Sequence, residues 1–522
     1  MASPVVALAI SPIRSAHSTP ARRRQITPSP EASSYKHSLI LTTPRKKPCT
    51  LILGGSLPTQ PYFAPRLLFP EGAASIQGIQ NLHAHPPRSD ILASNQNTGR
   101  HVPLPFDLRD PTIALDHEDV QPLLCNVFPG TRNVVEGLHR SFLLFQVEKL
   151  PEKPWPLTVG GVPITITDNV EGRGPLFPKQ RLLPSKIKIC SHYAGQDLAS
   201  GRVLRDLARE LNDAIQLNLP RVRLLELMYT KDRAFYAILA DDVDIHAVYK
   251  QLPVMIANCF VGYLRDEELK RPHWADKQAK RLVSPQPEQG ITDDTPYDIL
   301  RPGVVVCSQT IKDNAHPAWL ATTSGVQVQN SAGDRFMTAA SHGIGIDEQV
   351  WQIASQGPKR LVGKAVQEIS FTDISLVQLG EDIIFSNETF ENSAGHVPQF
   401  TRLFGEDPAS DKTVDGICYL NSPYTGSMDG VVVMNSVKLE KSSHPTEDAL
   451  KYVLYDWLYV GQEDGNSDKE RPPDGTSGSV IWDDDGVILG FHHYYITNGP
   501  FAGFAAMVSA IELVEAGYRL AR

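Results

Sequence analysis

The run Gly475-Thr476-Ser477-Gly478-Ser479 holds the residue types that acyl transfer needs. Glycine lets the chain bend tightly enough for the amides of Gly475 and Ser477 to point at one spot, where they can hold a developing oxyanion. A serine hydroxyl is a weak nucleophile until a base takes its proton. Upstream, the strand-like run Arg335-Phe336-Met337-Thr338-Ala339-Ala340 leads through Ser341 to His342 and Gly343, which puts an imidazole at a strand end. Between the two motifs, Asp373 opens an alternating run, Ile374-Ser375-Leu376-Val377-Gln378-Leu379. A carboxylate there can fix the imidazole tautomer and stabilise the imidazolium. The three follow in the order His, Asp, Ser, 31 and 104 residues apart. Asp347 and Asp382 are alternative acids for His342.

Side chains this far apart need a scaffold, and the chain from Leu300 onward reads as one. Short apolar runs such as Val304–Cys307, Gly325–Val328, Val350–Ile353, Gly430–Met434 and Tyr452–Val460 are separated by Gly, Asn, Asp and Ser. That pattern predicts an all-β barrel or sandwich. Residues 298–522 are enough for one double-barrel domain, with a last helix over 509–520. Before it, 108–264 reads as an α+β domain. Ser200 is a candidate N-cap, and Val203, Leu204, Leu207, Ala208, Leu211, Ala214 and Ile215 recur at a helical period up to Pro220. Two β-like runs follow, Val222–Tyr229 and Ala234–Leu239, and then a helix expected from Asp242 toward Tyr263 that Pro253 must kink or break. Residues 265–297 are rich in charge, Gln and Pro and read as a linker. Fifteen of the 41 prolines precede residue 110 in a stretch without apolar period, so 1–107 is expected to be a disordered basic tail.

Met1–Arg88 carries ten of the 50 Lys/Arg and two of the 59 Asp/Glu, which leaves 40 basic against 57 acidic residues beyond it. An acidic body argues against nucleic acid as a partner, because phosphate binding needs a positive face. Six scattered cysteines form no Cys-x-x-Cys pair and no zinc pattern, so free thiols in a reducing compartment, cytoplasm or nucleus, are expected and no metal is implied. No apolar run approaches the roughly 18 residues of a membrane span. The Arg- and Ser-rich first thirty residues leave a mitochondrial presequence open.

Over roughly 300–522 the chain resembles the chymotrypsin-like serine proteases, the trypsin-type superfamily. The resemblance implies His342 as general base, Asp373 as its orienting acid, Ser477 as nucleophile and the Gly475 and Ser477 amides as oxyanion hole. It implies a polypeptide substrate and no organic cofactor. The aspartate segment and the hairpin through Gly486-Val487-Ile488-Leu489-Gly490 match the family pattern. There are three departures. Ala339 stands where the family has a small hydroxyl residue. Thr476 replaces the aspartate that pairs with a new N-terminus in animal digestive members, and Gly343 replaces a disulfide cysteine. Gly490, Phe491 and His492 fall where the family's specificity pocket is lined, and glutamyl endopeptidases of bacteria carry a carboxylate-binding histidine at the place of His492. His493, beside it, has no role in that scheme. The alternative is a catalytically silent barrel that binds protein, with the middle domain recruiting a partner or regulating the barrel.

Overall fold

The structure is a computed structural model. It describes residues 101–522 apart from 111, 137–141, 152–154, 170–182, 231–232, 273–292, 294, 310–318, 353–359, 370, 392–396, 409–410, 412–415, 442–449, 461–471 and 473. The basic tail up to residue 100 and the 273–292 part of the expected linker lie outside the described residues.

The chain is mostly β, and among the described residues the strands form four sheets of five, twelve, two and eight strands. The five-stranded sheet, built from 101–167, has its own core around Phe145, Leu124 and Ile166. The eight-stranded sheet runs from an edge strand, Trp319–Thr323, through Val305–Gln309, Ile374–Leu379 and Arg335–Ala340 to a short C-terminal strand, Arg519–Leu520, at the other edge. Its interior gathers Val306, Met337, Val350, Val362 and Val377. Four of these five are valines, and β-branched side chains pack well on a pleated surface.

The twelve-stranded sheet joins both halves of the sequence. Its C-terminal members include Gly426–Lys441, Leu450–Val460, Val480–Trp482, Val487–Tyr495 and Phe504–Ser509. Leu224–Thr230 pairs antiparallel with Gly426–Lys441, Glu226 facing Lys438 and Thr230 facing Met434, and Phe235–Leu239 continues the sheet outward. The helix Gly201–Asn218 lays Leu204, Leu207, Ala208, Leu211 and Ile215 on a core that also takes in Val437, Leu439 and Leu454 of those C-terminal strands. Ser200 holds the N-cap position, but its side chain makes no capping hydrogen bond.

A buried ion pair crosses the same junction. Arg271 meets Glu226, and Glu226 also accepts from Ser436 Oγ, which accepts from Trp457 Nε1 at 3.0 Å. Arg271 donates to Tyr494 Oη at 3.2 Å, on the strand Val487–Tyr495.

The helix expected from Asp242 toward Tyr263 is one short turn, Ile245–Val248, capped by Asp244. After Pro253 the chain makes a tight hairpin through Ala257 and Asn258, both at positive φ, and Cys259–Arg265 is a strand parallel to Phe235–Leu239. Sheet pairing has overridden an ambiguous apolar run there. The last helix spans only Ile511–Glu515, and Gly517 at φ +88° turns the chain back into a strand. Cys125, Cys190, Cys259, Cys307 and Cys418 form no disulfide. No helix among the described residues is long and apolar enough to cross a membrane.

Candidate active site

Strand register brings His342 to Asp373. Arg335–Ala340 and Ile374–Leu379 are antiparallel neighbours with Ala340 opposite Ile374, so the residues just past one strand end lie beside those just before the other. The Ser341 amide donates to Asp373 O at 2.8 Å and the His342 amide to Asp373 Oδ1 at 2.8 Å. His342 Nδ1 then stands 2.6 Å from Asp373 Oδ2. Asp373 adopts φ +62°, a left-handed conformation that costs a non-glycine residue about 1–3 kcal/mol and persists where surrounding bonds over-determine it. Those two amide bonds are of that kind. Asp347 spends a carboxylate oxygen on the Gln349 amide at 3.3 Å, and Asp382 is exposed at a turn. Ala339 offers no hydroxyl, and the hydroxyls next to the pair are Ser341 and Ser375, bonded to each other at 2.8 Å.

The serine loop is clamped from two sheets. Thr322 Oγ1 and the Thr323 amide, on a strand of the eight-stranded sheet, donate to Ser477 O at 2.6 and 2.9 Å, and Thr323 Oγ1 donates to Gly475 O at 2.8 Å. From the other side the Gly478 amide donates to His492 O at 2.8 Å. Both glycines are required by space as well as by φ: a Cβ at Gly475 (φ +96°) would come within 2.3 Å of Tyr424 Oη, and one at Gly478 (φ +90°) within 2.5 Å of Thr323 O. Among the described residues no acceptor pairs with the amides of Gly475 or Ser477. Ser477 Oγ donates to the His493 carbonyl at 3.1 Å.

Charge in the pair is one-sided. Burial works against ionising Asp373, but the attraction of His342 and His493 and their hydrogen bonds carry its carboxyl well below the usual carboxylate range. His493 Nδ1 lies 3.0 Å from the same Oδ2, a contact with no counterpart in the sequence reading. The two imidazole nitrogens and the carboxylate oxygen lie within 4.8 Å of one another, a donor set that transition metals accept. The 2.6 and 3.0 Å separations are those of two N–H donors sharing one acceptor.

No family model matches the sequence, and no curated protein does. Solved structures that it resembles include chymotrypsin-like serine proteases. A Nocardiopsis protease is 14% identical over 43% of this chain and 100% of its own, with a TM-score of 0.28. A glutamic-acid-specific serine protease, which uses a histidine triad in substrate binding, is 15% identical over 42% of this chain and 100% of its own, with a TM-score of 0.29. A chymotrypsin from Cellulomonas bogoriensis is 15% identical over 43% of this chain and 99% of its own, with a TM-score of 0.27.

Gly490, Phe491 and His492 are all buried. A Cβ on Gly490 would meet Val508 O at 2.3 Å, and Phe491 belongs to the core beneath the sheet. His492 is 4% exposed, and its Nδ1 has no hydrogen-bond partner among the described residues. Burial, with His493 and His342 nearby, pushes its pKa down to about 3, so the imidazole is neutral. His492 lines a cavity of about 10 Å³ together with His493, Asp373 and Gly478, room for about one water molecule. Sequence reasoning missed His493, Ser375 and the two threonines of the clamp. The adjacent histidines after Gly490 were the visible signal for the first.

Proposed function

We propose that the chain is a serine endopeptidase acting on polypeptides through Ser477, His342 and Asp373. The observation that carries the reading is the 2.6 Å contact between His342 Nδ1 and Asp373 Oδ2, locked by the His342 amide on Oδ1. A carboxylate that accepts from Nδ1 leaves Nε2 as the basic nitrogen, the tautomer a general base needs. The Ser477 hydroxyl turns from the His493 carbonyl toward Nε2, gives up its proton and attacks the substrate carbonyl carbon. The carbonyl π pair moves onto oxygen, which the Gly475 and Ser477 amides receive. Collapse expels the amine, protonated by His342, and water repeats the sequence on the acyl-enzyme. Asp373 stays ionised throughout and stabilises the imidazolium.

A second reading, a silent protein-binding scaffold, is favoured by one observation: Ser477 is 6% exposed and its only proton is committed to a main-chain carbonyl. Covalent labelling of the full chain by a fluorophosphonate separates the two. The enzyme reading expects one adduct on Ser477, absent in Ser477→Ala. Absence of any adduct on the wild-type chain leaves the scaffold.

A further inference from the structure

We propose that His493 is a positioning residue for this reaction: its imidazole orients the Asp373 carboxylate, and its carbonyl sets the resting position of the Ser477 hydroxyl. The inference rests on the serine-hydrolase reading above and adds to it a residue that acts on both ends of the triad.

Asp373 needs more than His342 to stay fixed. Its Oδ1 accepts the His342 amide at 2.8 Å, and its Oδ2 accepts His342 Nδ1 at 2.6 Å and His493 Nδ1 at 3.0 Å. An ionised carboxylate has about four lone-pair sites, so three are taken and the plane of the group is set. A neutral imidazole has one N–H, and the nitrogen facing the carboxylate is Nδ1. Burial holds His493 on the neutral side against the pull of Asp373. It therefore donates without bringing a second cation beside His342.

The backbone is built to aim this ring. Along the pairing of Val487–Tyr495 with Phe504–Ser509, His492 faces Met507 and Tyr494 faces Ala506, so His493 is the extra residue of a β-bulge. Bulges break the two-residue alternation and re-aim a side chain. The ring lies edge to face with His342 and with Tyr455, centroids 5.8 Å apart in each case. The same residue's carbonyl accepts from Ser477 Oγ. A rotation of the bulge would shift the carboxylate's donor and the hydroxyl's acceptor together. The titratable groups that face His493 are Asp373 and His342 from the eight-stranded sheet, His492 and Tyr494 on its own strand, Tyr455 on Leu450–Val460 and Lys438 on Gly426–Lys441.

The test measures, against pH in the full chain, the rate at which a fluorophosphonate phosphonylates Ser477, the P–Oγ bond forming as fluoride leaves. Replacing His493 by Leu removes the donor, and we expect labelling to slow by about 10- to 100-fold, the scale seen when a hydrogen-bond partner that orients a metal-binding side chain is lost. Its pH midpoint should rise, because a carboxylate with one donor fewer draws the His342 imidazolium more strongly. His493→Asn, whose side-chain N–H can reach the same oxygen, should restore the wild-type midpoint and most of the rate. Equal rate and midpoint in wild type and His493→Leu would overturn the role of His493 and leave the hydrolase reading standing. A wild-type chain that takes no label overturns both. If His493→Leu does not fold, imidazole ¹⁵N NMR of the wild-type chain decides: a neutral His493 protonated at Nδ1 supports the role, and protonation at Nε2 rules it out.

Discussion

Two aspartates, half-buried Asp373 at the start of a strand of the eight-stranded sheet and buried Asp456 within the twelve-stranded sheet, meet opposite fates. Asp373 receives a backbone amide and two imidazoles, and its carboxyl is held far below the ordinary range. Asp456, in the strand Leu450–Val460, is 5% exposed and receives the Asn435 amide at 2.5 Å on one oxygen. Burial pushes its pKa up to about 7, against the hydrogen bonds of Asn435 and Ser509. Desolvation works against the charge in both. The number and polarity of the donors decide which side of neutrality each carboxyl falls on. A carboxylate kept charged in a protein interior is thus a built feature, and at Asp373 it is built from the ends of two strands and a bulge in a third.

The largest expected effect follows from removing the charge at Asp373 while keeping its shape. In Asp373→Asn the amide can donate to Nδ1 and so favour the Nε2–H tautomer, which cannot take the serine proton. We expect acylation of Ser477 at pH 7 to fall by about 10⁴-fold, the scale of the equivalent change in triad hydrolases. Acylation rates on folded protein check it, and a fall of less than tenfold would mean that Asp373 is a structural acid like Asp456.

Part of this difference is legible without coordinates. His342 at the end of one apolar run and Asp373 at the start of another are visible as residue types in order, because strand ends are where polar side chains are displayed. Their contact depends on Ala340 facing Ile374, and register across 31 residues leaves no mark in the sequence. The bulge at His493 is hidden for the same reason: two adjacent histidines look alike until the pairing slips between them. The helix Gly201–Asn218 is legible because its apolar stripe repeats from Leu204 to Ile215, over about three turns. Beyond Asp242 an apolar run interrupted by Pro253 suits helix or strand equally, and tertiary pairing with Phe235–Leu239 decides. Nothing local in Leu224–Thr230 announces that its partner lies some two hundred residues away, in Gly426–Lys441.

Glu226 sharpens the comparison with a third solution, a guanidinium. Arg271 and Glu226 are both nearly sealed from solvent, and Asp266 stands 3.0 Å from Arg271 Nε. Removing one partner of such a pair strands the other charge, at a cost of about 3–5 kcal/mol. Arg271→Met should lower the unfolding free energy of the full chain by that amount in urea titration. Glu226→Gln combined with Arg271→Met should recover a large part of the loss, because the stranded carboxylate is gone. If the double variant is as unstable as the single one, packing at the junction matters more than charge. Since Arg271 also reaches Tyr494, next to His493, the single variant tests as well whether the early strands steady the site strand: acylation should slow under conditions where the variant is still folded.

The smallest effect belongs to Asp456, and it is a dependence on pH. Its folded pKa of about 7 lies above the carboxylate value of 3.8, so between those limits the folded state keeps a proton that the unfolded chain releases. Stability therefore falls as pH rises through that window, by at most about 1.4 kcal/mol per unit, and stops falling once the folded carboxyl has also ionised. Between pH 5 and pH 7 this carboxyl should remove about 2 kcal/mol from the unfolding free energy. Asp456→Asn keeps an oxygen for Asn435 and has no proton to release, so its stability should lose this component of the slope. Asp373 has the opposite sign: its carboxylate contributes stability above its unfolded value and loses it only in strong acid. Chemical unfolding of wild type and Asp456→Asn across pH 5–8 separates the two aspartates, because of the two only Asp456 changes its contribution within that range, and the histidines contribute equally to both chains. If both chains lose stability at the same rate with pH, Asp456 is ionised in the fold and the contrast between the two aspartates is one of degree.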